Sequence, residues 1–137
     1  MKIVLCHGVF DLFHSGHLEH LRQAREMGDL LYVSVLSDSF VFKEYGPVYT
    51  QDERLAIMRG LKCVDGALLC NDTGPQYLIE NLRPNIYVRG SDYKGKAMPE
   101  DAVLSACGVE VRYTRSVPPT TGQIVQRILA RQACLSS

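Results

Sequence analysis

The sequence carries no net charge at pH 7, no long apolar run, no C-x-x-C pair and no repeat. A phosphate backbone demands a basic surface, so zero net charge argues against a general nucleic-acid binder. A small anionic ligand needs only local positive charge. No apolar run approaches membrane-spanning length. Residues 1–6 begin like a signal peptide, but His7 and Asp11 interrupt the apolar stretch and no small-residue cleavage site follows. The five cysteines are odd in number, and several sit in apolar runs. They read as reduced, buried thiols of a cytosolic protein, with Cys134 in the tail the candidate for exposure. A cytoplasmic protein without membrane or nucleic-acid partners is expected.

With 137 residues, 46% apolar and 22% charged, the chain has the makings of a soluble globular domain. That length buries roughly two thirds of the unfolded surface. No low-complexity segment or linker divides it, so residues 1–137 are expected to form a single domain, with 132–137 a frayed tail. Apolar runs at 3–6, 30–36, 67–70, 86–89 and 109–113 alternate with helical patterns at 15–27, 51–62, 75–82, 99–106 and 121–131. Such alternation predicts an α/β fold: a parallel five-stranded, Rossmann-like sheet with helices on both faces. Gly28 reads as a helix C-cap, and Thr50 to Glu53 as a capping box. In the last helix, Ile124 pairs with Ile128 and Val125 with Leu129, predicting that it packs through that face.

Histidine is scarce, and all four lie in the first twenty residues: His7, His14, His17 and His20. The stretch joins the first strand to the first helix. At about 100° per residue, His14, His17, Leu18, Leu21, Ala24 and Gly28 share one stripe. His20 falls to its flank, and Glu19, Gln23 and Glu26 fall opposite. Main-chain N–H groups at a helix N-terminus lack internal partners and carry partial positive charge. Two imidazoles beside them suit an anion whose charge grows during reaction. Gly8 and Gly16 let backbone approach closely. The ordinary alternative is a pair of packed or capping histidines. A zinc site is the other, but no cysteine or carboxylate clearly completes a tetrahedral set.

Gly-Val-Phe-Asp-Leu-Phe-His-Ser-Gly-His, residues 8–17, resembles the G-x-F-D-x-x-H-x-G-H signature of cytidylyltransferase-like nucleotidyltransferases. The resemblance extends along nearly the whole chain. It continues through Gly46-Pro47-Val48 with Glu53-Arg54, the block 84–93 (Pro84 to Tyr93), and Arg115 with Thr120-Thr121 and Ile124. The Gly90-Ser91-Asp92-Tyr93 block is most similar to the sugar-phosphate branch, which includes heptose 1-phosphate adenylyltransferases. Glycerol-3-phosphate cytidylyltransferases follow closely.

The resemblance implies the HUP-type nucleotidyltransferase fold and condensation of an NTP, ATP favoured, with a sugar phosphate such as heptose 1-phosphate, releasing pyrophosphate. The alternative is CTP with glycerol 3-phosphate or another alcohol phosphate or phosphonate. Rivals from other classes are a non-catalytic nucleotide-binding module and a metal-dependent hydrolase. Mg²⁺ is the implied cofactor, a homodimer the implied assembly, and a separate sugar kinase the implied upstream supplier. His14, His17, Lys43 and Arg115 are the expected catalytic residues. Gly8, Val9, Phe10, Asp11, Gly16, Arg89, Gly90, Asp92, Thr120 and Thr121 are expected around the nucleotide. Asp38, Lys43 and Arg54 are expected at the acceptor.

Several of these have ordinary readings too. Asp11 is either a Mg²⁺ ligand or a turn-forming carboxylate. Lys43 is either a phosphate contact or a solvated lysine, and Glu44 follows it where relatives have a further base. Arg54 should point inward and needs an anion, either substrate phosphate or Asp11. Thr120 and Thr121 either cradle phosphates or cap the last helix. His7 reads as structural or nucleotide-adjacent.

Overall fold

A computed structural model describes residues 1–43 and 46–136, save the side chain of Ser136. Five strands alternate with five helices: β1 Ile3–Gly8, α1 Ser15–Glu26, β2 Leu30–Leu36, α2 Gln51–Gly60, β3 Gly66–Cys70, α3 Gln76–Leu82, β4 Ile86–Gly90, α4 Asp101–Ala106, β5 Glu110–Thr114 and α5 Thr121–Ser136. Short 3₁₀ turns follow β2 at Asp38–Phe40 and β4 at Ser91–Tyr93. All strand pairs are parallel, in the order β3-β2-β1-β4-β5. The chain winds outward from β1 to β3, then crosses back to place β4 on the other side of β1. The winding direction reverses between β1 and β4, where ligands of open α/β sheets collect.

Side chains alternate across the strands. Val4, Cys6, Ile86 and Val88 face one way, under Leu21 and Ala24 of α1 and Met58 of α2. Leu5 and Tyr87 face the other, under Ile79 of α3 and Leu104 of α4. Covering both faces is why the strands read as near-continuous apolar runs.

The predicted elements are all present, with shifted ends. β1 extends two residues beyond the predicted end because β2 continues to pair with it, His7 opposite Ser34 and Gly8 opposite Val35. The capping box at α2 is formed: Thr50 Oγ1 accepts from Glu53 N at 3.2 Å, and Glu53 Oε1 accepts from Thr50 N at 2.9 Å. Gly28 is not the left-handed C-cap expected, since its φ is not positive, unlike those of Gly95 and Gly108. Glycine is needed there for room. A Cβ would lie 2.7 Å from Val4 Cγ2 and 2.9 Å from Lys2 O.

The last helix departs most from expectation. Ile124 and Val125 are half-buried, but Ile128 is 56% and Leu129 48% exposed. The apolar stripe is covered only at its first turn, at Ile124 and Val125. The helix also continues through 132–136, read from sequence as a frayed tail; Ser137 lies outside the described residues.

Candidate active site

The turn from β1 to α1 is wound tightly. Phe10 and Leu12 both take left-handed backbone angles, φ 55° and 48°, which cost energy for residues with a Cβ. Asp11 between them is buried. Its Oδ1 accepts from Leu12 N at 3.1 Å and Tyr49 N at 2.9 Å, and its Oδ2 from Val48 N at 2.7 Å. Asp11 therefore latches residues 46–49 against the turn. Gly46 packs so closely that a Cβ there would lie 2.9 Å from Asp11 Oδ2. A carboxylate whose two oxygens already hold three main-chain donors does not fit the role of direct Mg²⁺ ligand. Among the described residues no cluster of three His, Cys, Asp or Glu side chains is arranged to hold a metal.

Arg54 corrects a second expectation. It is fully buried, yet its anion is neither substrate nor Asp11. Nη2 donates to Asp38 Oδ1 at 2.7 Å, Nη1 to Val9 O at 2.8 Å and Leu36 O at 2.7 Å, and Nε to Tyr49 O at 3.2 Å. Asp38 Oδ2 in turn accepts from Gln51 N at 3.2 Å. Arg54 and Asp38 thus tie the ends of β1 and β2 to α2. The charge is buried because main-chain carbonyls and one carboxylate satisfy it. Neither side chain lines the cleft.

The histidine pair does. His14 is the N-cap of α1, in extended conformation. Its Nδ1 accepts from Gly16 N at 3.0 Å and His17 N at 3.3 Å, and His17 Nδ1 accepts from His14 N at 3.3 Å. This is a capping box built from two imidazoles. Both Nδ1 atoms are acceptors, so in each neutral ring the proton sits on Nε2. The rings stack with centroids 3.8 Å apart, and Phe13 stacks on His17 at 5.4 Å. Burial pushes His17 down to about 3, and positive charge on His14, His20 or Lys43 acts in the same direction. Burial first, then Arg127, lowers His14 as well. Both rings are neutral donors at pH 7. The capping and functional readings are compatible here: Nδ1 caps the helix and Nε2 keeps a proton to donate.

These rings face a cleft of about 580 Å³ at the carboxyl ends of β1, β4 and β5. It gathers most of the expected residues: Gly8, Val9, Phe10, His14, Gly16 and His17 from the first turn; Arg89, Gly90 and Asp92 from the end of β4; and Arg115, Thr120 and Thr121 beyond β5. Lys43 is exposed and lines both this cleft and a smaller recess shared with Asp11 and Thr121. Glu44 and Tyr45 lie outside the described residues.

Two helix N-termini meet at one corner of the cleft. His14 Nε2 lies 3.3 Å from Thr121 Oγ1 in the first turn of α5. Thr120 caps α5, accepting from Gln123 N at 3.1 Å. Gly16 lies under the loop leading into α5; a Cβ would clash with Pro119 O and lie 2.8 Å from Val117 O. Across the mouth, Ser116 Oγ reaches Ser91 Oγ at 2.8 Å and Asp92 Oδ1 at 3.3 Å. Arg89 is held by Asp101 at 2.5 Å and Glu100 at 3.3 Å, so it forms wall rather than free cation.

Sequence reasoning undervalued four lining residues. His7 sits at the cleft floor with Nδ1 2.9 Å from Ser34 Oγ, and burial pushes it down to about 4. His20, assigned to a flank, lines the cleft and places Nδ1 2.6 Å from Thr114 Oγ1. The clustering of histidines was the available signal for both. Tyr87 and Glu100, joined at 2.8 Å, complete the inner wall and carried none, being an apolar-run residue and the residue before a short helix.

The comparisons agree with this geometry. A family model described as Cytidylyltransferase-like matches residues 5–123. The bifunctional protein HldE of Campylobacter concisus is 38% identical over 132 residues, 93% of this chain and 27% of the relative. That of Shewanella denitrificans is 39% identical over 137 residues, 96% of this chain and 28% of the relative. The chain thus spans a little over a quarter of these curated relatives. Among solved structures, the lipopolysaccharide core biosynthesis protein from Thermoplasma volcanium superposes with a TM-score of 0.70 at 28% identity, covering 88% of this chain and 99% of its own. The match runs from the middle of β1 into the first turn of α5 and so takes in both helix N-termini at the cleft: this chain belongs to the cytidylyltransferase-like family.

Proposed function

We propose that the chain condenses a nucleoside triphosphate, ATP favoured, with a sugar phosphate, heptose 1-phosphate, to give an NDP-sugar and pyrophosphate. One observation carries this reading: two neutral Nε2–H donors at the N-terminus of α1, facing a cleft that the N-terminus of α5 closes. An acceptor phosphate oxygen attacks the α-phosphorus, and the bond from that phosphorus to the bridging oxygen breaks as pyrophosphate leaves. Phosphate is already a nucleophile, so positioning and charge stabilisation suffice. His14 and His17 donate to oxygens that gain charge, and a phosphate oxygen takes the place of Thr121 Oγ1 against His14. Arg115 and Lys43 supply the fixed cations.

Mg²⁺ entering with the triphosphate would neutralise part of its charge, while the chain's own residues supply hydrogen bonds and cations. HldE relatives and a lipopolysaccharide core biosynthesis relative favour a sugar phosphate acceptor. That acceptor must come from a phosphorylating enzyme. No helix among the described residues is long and apolar enough to cross a membrane, and a cytoplasmic location suits an NTP-consuming reaction. The exposed stripe of α5 supports a homodimer.

Pyrophosphate release, with ATP or CTP against heptose 1-phosphate or glycerol 3-phosphate, tests the assignment. Turnover is expected with ATP and the heptose. Turnover only with CTP and glycerol 3-phosphate transfers the assignment to that pair, and triphosphate binding without turnover on any acceptor makes the chain a binding module.

A further inference from the structure

α1 has a second working face. Gly16, His20 and Gln23 are spaced four and three apart, so they share a stripe; His20 touches the last residue of β5, and Gly16 and Gln23 touch the segment that follows it. Gly16 lies under the carbonyls of Val117 and Pro119. His20 Nδ1 is 2.6 Å from Thr114 Oγ1. Gln23 grips Arg115 by its main chain: Oε1 accepts from Arg115 N at 2.9 Å, and Nε2 donates to Arg115 O at 3.2 Å.

That last pair stands where the sheet ends. β5 is an edge strand, and its ladder with β4 stops at Thr114, opposite Gly90. Arg115 is the first residue beyond the ladder. A primary amide offers one donor and one acceptor side by side, as a neighbouring strand does. Gln23 therefore supplies from α1 the pairing that β5 lacks at this position.

We propose that Gln23 is a positioning residue for the reaction: it fixes the Arg115 main chain so that the guanidinium projects into the cleft beside the histidine pair. This rests on the reading of Arg115 as a triphosphate contact. The same helix presents His14 and His17 at its start, so Gln23 sets the arginine and the imidazoles in one rigid frame. Leu21 and Ala24 anchor α1 in the core independently of Gln23.

Gln23→Ala, Arg115→Ala and the double variant test this together. Gln23→Ala is expected to lower kcat about tenfold, to leave acceptor KM nearly unchanged and to shift the melting temperature by no more than about 2 °C. Adding it to Arg115→Ala is expected to cost nothing further, the signature of two residues acting as one unit. Gln23→Glu, which keeps the acceptor and loses the donor, should fall between wild type and Gln23→Ala. Losses that multiply in the double variant overturn the proposal, as does unchanged turnover in Gln23→Ala. ATP affinity by calorimetry in the same variants separates this idea from the activity itself. If wild type turns over no acceptor but binds ATP, the reaction assignment fails, while coupled losses of affinity still uphold the positioning role. Wild-type protein that binds no triphosphate overturns both.

Discussion

His14 and His17 each present Nδ1 to the other's main-chain N–H, at 3.3 Å in both directions. The reciprocal pair settles where each ring keeps its proton, and so what each ring can do at the cleft.

Replacing His17 with alanine removes one donor to the developing phosphate charge. Turnover should fall by about 10²–10³-fold, the usual cost of losing a preorganised donor. ATP affinity, measured by calorimetry, should change much less. Part of the capping box goes too, so a stability loss of about 1 kcal/mol is expected in the melting curve. Equal turnover in this variant removes the role assigned to the ring.

Acid should destabilise the fold through the same imidazoles. A histidine whose folded pKa is depressed is neutral when folded and protonated when unfolded, between the two values. The unfolded chain binds more protons in that window, so stability is complete above the ordinary value of 6.5 and is lost as pH falls below it. For His17, at about 3, and His7, at about 4, the loss by pH 5 is about 2 kcal/mol each. Melting temperature should decline from pH 7 to pH 5, and His7→Ala should flatten that slope. The pH–rate profile should show no inflection from His14 or His17 between pH 7 and 8, because both are already neutral.

Arg54→Ala should be a stability variant. It strands the carbonyls of Val9 and Leu36 and the Asp38 carboxylate, at a cost of about 3–5 kcal/mol. Denaturant unfolding should show this in the absence of ligand. A substrate-binding arginine would instead raise acceptor KM and leave the unfolding midpoint in place.

Gly16→Ala should lower both stability and turnover. The methyl group meets main-chain carbonyls at Val117 and Pro119, which yield less easily than side chains, at a cost of about 1–3 kcal/mol. Gly60→Ala, with open space around its Cβ, is the control and should be neutral or slightly stabilising within α2.

Much of the molecule was legible in its order of residues. Apolar runs such as 30–36 mark strands covered on both faces, and Thr50 with Glu53 marks a helix start, because these signals act between near neighbours. The histidine turn was legible for the same reason: N-cap, glycine and second imidazole lie within four residues. Contacts across the fold were not. Gln23 reads as solvent face until Arg115, ninety-two residues later and just past the end of β5, arrives beside it. Arg54 was seen to need an anion, but only the packing of α2 against the ends of β1 and β2 selects Asp38 over Asp11. The residues alone determined an α/β crossover with imidazoles at its mouth, since local chemistry dictates periodicity and capping. Tertiary structure alone decided which charged groups serve the frame and which face the cleft, since each depends on partners that come together only when the sheet closes.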